Sequence, residues 1–357
     1  MRRVRIVWKS PLVGTILCAV VLVLSISAWL LTDGRTSSSE ALRTGGLAGG
    51  AVVALYALWL NDRRRRIEEA RQDIERQRHE LEGSRISDER FARSVELLGH
   101  AADQVRVGAM HALAGLARSR TSYAQTVLDV LCAYLRRPFT HPRFEAKNRP
   151  TDEEAERELQ VRLTAQRLIF DLLPDAGKAD APSYDLDLTG AALEYLDLSG
   201  RKLGSVILRY AYLHSSTNLS DCEFTGPVWF TAASTGTGRL SGRFRCQQAT
   251  FHERAWFSGT TFNSVADFAG TTFQGEASFK DAVFGGEAVF GQTSFGTGLD
   301  LRRTRFAAEL DLCWKADPPW YTVDGAVVDR PHAVALPPGC SVVEQRDETG
   351  RLARATT

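Results

Sequence analysis

The stretch that decides the fold is EASFKDAVFGGEAVF, residues 276–290, in which a phenylalanine returns every five or six positions. Phe279, Phe284 and Phe290 mark this spacing, and an alanine lies two positions before each of them. An α-helix repeats its apolar side chains about every 3.6 residues and a strand about every two. This chain must therefore turn after each short segment, with one small and one large side chain facing inward.

The same pair of positions continues on both sides of this stretch. Towards the N-terminus the period is five and the large residue is leucine, at Leu188, Leu193, Leu198, Leu203, Leu208 and Leu213. In the later section the period is eleven, made of six and five, and the large residues include Phe251, Phe257, Phe262, Phe268, Phe273, Phe279, Phe284, Phe290, Phe295 and Phe306. Columns of rings between columns of small groups fill a core without voids, so we expect these side chains to be buried.

These residues resemble the pentapeptide-repeat family, in which a small residue, a variable residue and Leu or Phe recur. LTGAALEYLDLSG, residues 188–200, matches the leucine-centred form, and the resemblance covers about 184–314. It implies a right-handed quadrilateral β-helix of about five or six coils, a rod about 25–30 Å long. The segment ERFARSVELLGHAADQVRVGAMHALAGLARSR resembles the helical unit before the repeats in many bacterial members.

Two departures interrupt the repeat. Arg201 occupies a position where a small inward residue is expected, and residues 231–248 break the register. Each departure predicts either a loop or a distorted coil. The break and the outward positions of the phenylalanine section are therefore the places where we expect binding.

Two apolar runs near the N-terminus predict a two-helix membrane anchor over residues 1–60. The first run, 11–31, has no charged residue and is long enough for a helix to span about 30 Å of hydrocarbon. The second, 45–60, is rich in glycine, which favours close packing in a hairpin. A cleaved signal peptide is the alternative for the first run, but its apolar region would be unusually long.

Basic residues flank both runs, at Arg2, Arg3, Arg5, Lys9 and Arg63–Arg66. The positive-inside rule then predicts a multi-pass protein of the inner (plasma) membrane, with both termini and the solenoid in the cytoplasm. The arginine run could alternatively be a nucleic-acid patch. Its position beside a span favours contact with the headgroups of the lipid bilayer.

Residues 61–87 predict a charged helical stalk, with Ile67, Ile74 and Leu81 seven residues apart. Two heptads are too few to establish a coiled coil, so a solvated stalk is favoured over a homodimer. Gly83 and Ser84 interrupt the pattern.

Residues 88–174 predict a small all-α unit. Its helical spacings include Val107, Met110 and Leu113, and its last helix begins at a capping box formed by Thr151 and Glu154 and stops before Pro174.

Residues 315–357 lose the repeat. Asp324 and Gly325 predict a hairpin turn between YTV and AVV, and the hairpin would cap the open end of the solenoid. Residues past about Glu344 are expected to be disordered. A homodimer through the solenoid end is a further open alternative.

Composition excludes several function classes. The net charge is +1, so no global field recruits nucleic acid, and no nucleic-acid partner is expected. The six cysteines form no CxxC pair and the histidines are scattered, which predicts no metal site. No P-loop, dinucleotide fingerprint or nucleophile elbow is present, so we predict no cofactor, no catalytic residue and no enzyme activity.

The sequence therefore predicts a membrane-tethered, non-catalytic scaffold that presents the outer faces of its solenoid to an unidentified protein partner. Two alternatives remain. DNA mimicry, the mode of some soluble family members that bind topoisomerases, needs a row of carboxylates, whereas residues 184–314 carry 14 acidic and 11 basic residues. A membrane-linked sensor or regulator has no dedicated sequence signal.

Overall fold

The computed structural model describes residues 11–32, 38–145, 152–238, 241–329, 332–344 and 349–354. The chain divides into two compact units, Met1–Ile86 and Ser87–Thr357. Helix α1 is Pro11–Thr32 and helix α2 is Ser38–Leu97, so α2 runs through the stalk without the predicted interruption at Gly83 and Ser84. The basic residues Arg2, Arg3, Arg5 and Lys9 lie outside the described residues.

Within the first unit, α1 and α2 pack closely at a glycine. A Cβ atom on Gly49 would lie 2.3 Å from the Val23 side chain and 3.5 Å from the Ala19 carbonyl oxygen. Only a residue without a side chain fits there, which agrees with the close packing that the glycine-rich run predicts.

The predicted transmembrane hairpin is wrong. Within the described ranges, no helix is both long and apolar enough to cross a membrane. The run 45–60 is an early part of α2, a helix of 60 residues that continues directly into charged residues. The same finding contradicts the predicted multi-pass location in the inner membrane.

The second unit begins with a helical bundle. It contains the end of α2, then α3 (Asp103–Ser119), α4 (Ala124–Leu135) and α5 (Glu153–Leu172). Apolar residues at helical spacing, such as Met110, Leu113 and Leu131, are fully buried between these helices. Asp152 caps α5, because its carboxylate accepts the Glu154 N–H at 3.1 Å. The predicted capping residue, Thr151, lies outside the described residues.

After the helices the chain forms short strands, one for each side of a coil. In chain order they are β1 (Leu186–Asp187), β2 (Ala192–Glu194), β3 (Lys202–Leu203), β4 (Val206–Ile207), β5 (Tyr212–His214), β6 (Thr217–Asn218), β7 (Glu223–Phe224), β8 (Val228–Trp229), β9 (Ser234–Thr237), β10 (Phe244–Arg245), β11 (Thr250–Phe251), β12 (Ala255–Trp256), β13 (Thr261–Phe262), β14 (Ala266–Asp267), β15 (Thr272–Phe273), β16 (Glu276–Ser278), β17 (Val283–Phe284), β18 (Ala288–Val289), β19 (Ser294–Phe295), β20 (Gly298–Asp300), β21 (Arg305–Phe306) and β22 (Leu310–Asp311). From β3 to β22, strands that are four apart in the chain pair in parallel, as in the ladder β4-β8-β12-β16-β20, so four sheets enclose one core.

The core consists of stacked columns. The large residues of the repeat, from Leu188 to Phe306, are at most 5% exposed. Phe257, for example, stacks between Phe230 and Phe279 at centroid distances of 5.0 and 4.8 Å. At four of the small positions the buried threonine hydroxyl donates to a carbonyl of the coil before it, as when Thr260 donates to the Phe230 carbonyl at 2.6 Å; the others are Thr271, Thr293 and Thr304. This satisfies a polar group that would otherwise be costly to bury.

The helical bundle covers the first coil of the solenoid. The Gln125 side-chain amide donates to the Asp185 carbonyl and accepts the Asp185 N–H, both at 2.9 Å, and so imitates a neighbouring strand. Arg201 lies in this first coil, with its guanidinium 3.9 Å from the centroid of Phe170 and bonded to Asp175. Arg201 is therefore neither in a loop nor in a distorted coil, because the end of α5 accommodates it where no coil precedes.

The other end of the solenoid differs from the sequence prediction. The last strands are β23 (Tyr321–Thr322), β24 (Val327–Asp329), β25 (Val334–Ala335), β26 (Cys340–Glu344) and β27 (Thr349–Arg354). Strands β23, β24 and β25 pair in parallel with β20, β21 and β22, so they form a further coil. The predicted hairpin about Asp324 and Gly325 is not formed, because the flanking strands belong to different sheets.

An antiparallel hairpin does cover part of this end, but it is built from a later segment. Strand β27 pairs antiparallel with both β24 and β26. The segment expected to be disordered thus contains a strand, whereas residues 345–348 and 355–357 lie outside the described residues.

Candidate interaction surface

Three cysteines are fully buried, Cys132 in the helical bundle and Cys222 and Cys246 in the solenoid. Burial raises the pKa of the Cys132 and Cys222 thiols to about 12, and it raises the pKa of Cys246 as well, so these thiols stay protonated and unreactive. In the part of the chain that the structure describes, no three His, Cys, Asp or Glu side chains are grouped so that they could hold a metal ion.

The break in the repeat is occupied by the chain's own loop. The loop between α4 and α5 places Phe144 on His214, with ring centroids 3.6 Å apart and planes 5° apart. A Cβ atom on Gly238 would lie 3.1 Å from the Arg143 carbonyl oxygen, so the loop and the break are in close contact. Of the break, residues 239–240 lie outside the description. Where it is described, the break is a docking place for the loop rather than an open binding site.

Polar side chains close this junction. Burial lowers the pKa of His214 to about 4, and its Nδ1 atom lies 2.7 Å from the Thr237 hydroxyl. The buried Glu194 carboxyl has a raised pKa, again because burial disfavours its charged form, although Arg143 lies 4.0 Å away. His141 is almost fully buried, with its Nε2 atom 3.3 Å from Glu156.

An aromatic surface lies on the outside of coils two to four. We call it the aromatic corner and define it as Arg209, Tyr210, Tyr212, Trp229 and Trp256. The two tryptophans occupy the outward position of β8 and β12, between the small and the large inward residue. Arg209 and Tyr210 form the turn between β4 and β5, and Tyr212 begins β5.

The geometry of the aromatic corner follows from strand stacking. Because β8 and β12 pair with Trp229 opposite Trp256, the two indoles stack with centroids 5.3 Å apart and planes 8° apart. The Arg209 guanidinium lies 5.3 Å from the Trp229 centroid, within range for a cation–π contact. Tyr210 and Tyr212 are 62% and 56% exposed, so their rings are presented to solvent.

The side chain of Tyr210 is not needed for the fold. The residue has φ of 57°, a left-handed conformation that glycine adopts at the matching corners Gly190 and Gly259. A large aromatic residue at such a corner contributes nothing to the core and carries a conformational cost. Its side chain is therefore available for contact with a partner.

The sequence contained a signal for part of this surface. Outward positions of the phenylalanine section were predicted as binding places, and Trp256 is one of them. Arg209, Tyr210, Tyr212 and Trp229 were missed, because they precede that section. Large aromatic residues at outward positions, where neighbouring repeats carry Ser, Thr or Asp, are the signal that identifies them.

Comparison with known proteins agrees with the repeat architecture. The family profile described as "Pentapeptide repeats (9 copies)" matches residues 268–312. No curated protein and no solved structure matches the chain. The profile match lies inside the four-sided stack of parallel strands, and its aromatic columns are those of the repeat. The profile match and the β-solenoid that the repeats build identify this part of the chain as a pentapeptide-repeat solenoid.

Proposed function

We propose that this chain is a non-catalytic protein-binding scaffold and that the aromatic corner is its main contact surface. A pentapeptide-repeat solenoid is typical of a non-catalytic repeat protein. The observation that supports the proposal is a half-buried stack of two tryptophans, Trp229 and Trp256, beside the exposed side chains of Arg209, Tyr210 and Tyr212 on a rigid face. These three residue types are the ones most enriched among the residues that dominate protein–protein binding energy.

The rigidity of the scaffold favours binding. Each strand of the face is held on both sides by ladder hydrogen bonds, such as Phe230 N–H to the Trp256 carbonyl at 2.7 Å. The indoles are already stacked, and Arg209 already lies over one of them, so little side-chain freedom is lost when a partner binds. Among the described residues, Arg209 forms no ion pair, which leaves its charge available to a partner.

Charge argues for a protein partner rather than for DNA mimicry. Along the sheet that contains β14, the outward residues Asp267 and Asp311 are separated by Val289, and Arg245 precedes them. Other carboxylates are neutralised, as Asp281 is by Arg303. A DNA mimic needs a continuous row of free carboxylates, and these columns do not supply one.

Proximity labelling in the native cells tests the proposal. The chain, fused to a labelling enzyme, is compared with a Trp229→Ala/Trp256→Ala variant and with a control variant, Thr250→Ala/Thr272→Ala, which alters outward positions on another sheet. We expect a defined set of proteins that the tryptophan variant loses and the control retains. Identical labelling by all three chains, each with an unchanged circular dichroism spectrum, would contradict the proposal.

A further inference from the structure

A groove of about 500 Å³ lies at the C-terminal end of the solenoid, far along the chain from the aromatic corner. Its floor contains Tyr321 and Val323 of the last coil, and its walls contain Val343, Arg351, Leu352 and Arg354 of the terminal hairpin. The groove combines an open sheet edge, apolar side chains and positive charge.

The floor is an unfinished sheet edge. In the sheet that ends at β23, backbone N–H groups of each strand donate to carbonyls of the next strand. Leu299 N–H donates to the Trp320 carbonyl at 3.1 Å, and Leu301 N–H donates to the Thr322 carbonyl at 2.9 Å. Strand β23 is the last strand of the sheet. The N–H groups of Tyr321 and Val323 therefore face the groove, and no described residue accepts from them. Unpaired donors on a sheet edge are a template for another strand.

The walls add positive charge. Arg354 lies over the Tyr321 ring, 4.6 Å from its centroid, and Arg351 is exposed on β27. Neither arginine forms an ion pair with a carboxylate of the described residues. The acidic residue of the groove, Asp324, accepts a hydrogen bond from the Thr322 hydroxyl at 3.1 Å. Two backbone donors and two arginines together favour a ligand rich in acceptors and negative charge.

We propose that this groove binds an extended, acidic peptide segment of a partner protein, which adds to β23 as a parallel strand. Backbone carbonyls of the segment accept from Tyr321 and Val323, and its carboxylates pair with Arg351 and Arg354. Since Tyr321 and Val323 hold the inward positions of the coil, the segment places a small residue over Tyr321 and a large apolar one over Val323. This inference rests on the proposed binding function and assigns to it a second surface, separate from the aromatic corner.

A synthetic peptide tests the proposal with the full chain. The probe is fluorescein-labelled GEASFED, which copies residues 275–281 with glutamate in place of the lysine at 280, so that it keeps the strand pattern of β16 and is acidic. Two control peptides are GKASFKK, which is basic, and GEASFED with an N-methylated serine amide, which lacks the donor that would face the Tyr321 carbonyl. Fluorescence anisotropy is expected to show saturable binding below about 1 mM for the acidic probe and at least about tenfold weaker binding for both controls.

Variants locate the binding site. Arg351→Glu/Arg354→Glu is expected to weaken binding of the acidic probe by at least about tenfold, whereas Arg351→Lys/Arg354→Lys changes it by less than about threefold. Trp229→Ala/Trp256→Ala leaves it unchanged, so that failure of this site and failure of the aromatic corner are distinguished.

Four results overturn the proposal: no binding of the acidic probe, equal binding of the basic or N-methylated peptide, equal binding by the glutamate variant, or occupation of this edge by a second copy of the chain. Sedimentation velocity detects the last of these.

Discussion

Substitution of one phenylalanine in the middle of the stack tests the column architecture quantitatively. Phe257 is fully buried and has two stacked neighbours, Phe230 and Phe279, with Phe268 edge-on at 5.4 Å. Its strand cannot move in to fill a cavity, because Phe257 N–H bonds to the Ser278 carbonyl at 2.7 Å. We therefore expect Phe257→Ala to lower the free energy of unfolding by about 5 kcal/mol, the upper end of the range for such changes.

The end of the column provides the comparison. Phe295 has one stacked neighbour, Phe273 at 5.4 Å, and Trp314 meets it edge-on at 6.1 Å. With one stacked pair fewer, at about 0.5–1.5 kcal/mol, and partial exposure, Phe295→Ala should cost about 3 kcal/mol. Thr272→Ala, at an outward position, is the control and should change stability by less than about 0.5 kcal/mol.

Urea unfolding of the full chain measures these differences. Four of the seven tryptophans, Trp229, Trp256, Trp314 and Trp320, lie in the solenoid, so tryptophan fluorescence reports mainly on it, and far-ultraviolet circular dichroism reports on the helices. The slope of the unfolding free energy against urea concentration must be the same for the three variants, because a shift of the midpoint then reports a change in stability alone. Equal losses for Phe257→Ala and Phe295→Ala, or a larger loss at Phe295, would refute the stacking argument.

Two further predictions concern the junction and the coil spacing. The folded-state pKa of His214, about 4, lies below its ordinary value of 6.5, so the unfolded chain binds the extra proton between these two values. The free energy of unfolding should therefore fall by at most about 3 kcal/mol as the pH decreases from about 6.5 to 4. His214→Gln should flatten this part of a pH–stability profile from thermal unfolding. A Cβ atom on Gly286 would lie 2.4 Å from the carbonyl carbon of Ser264 on the coil below, so Gly286→Ala should destabilise the chain by about 2 kcal/mol or more. Gly115 lies in α3 with free space around it, so Gly115→Ala should stabilise the chain by up to about 1 kcal/mol. Calorimetric melting that ranks the two variants otherwise would contradict the close approach of the coils at Gly286.

The sequence predicted the inside of the solenoid far better than its ends. A core column constrains residue type at fixed spacing, so the positions of Phe257 and Phe284 could be read from periodicity alone. The last coil was missed because Tyr321 and Val328 keep the inward positions without the repeat spacing. Asp324–Gly325 has the composition of a hairpin turn, but here it forms a corner between two sheets.

The membrane prediction failed for a different reason. The run 45–60 predicts a span that continues as a charged helical stalk, and α2 does continue through Asp62 and Arg63, but the run of 16 residues is shorter than the about 20 apolar residues that a spanning helix needs.

The proposed binding surfaces were only partly predictable, because the fold leaves outward positions free. Trp256 followed from its place in the repeat, but the approach of Arg209 to Trp229 depends on which residues of successive coils lie side by side. The groove at β23 depends on where the stack ends, and no local pattern encodes that.

The central claim, that the aromatic corner contacts a protein, is tested most directly by site-specific photo-crosslinking. A photoreactive amino acid is placed at Tyr210, which is 62% exposed, and in a second chain at Thr272, an outward position on a different sheet. Discrete crosslinked protein bands from position 210 that are absent from position 272, and that disappear when Trp229 and Trp256 are changed to alanine, are the predicted result. Bands from position 272 alone, or the same bands from both positions, would contradict the account.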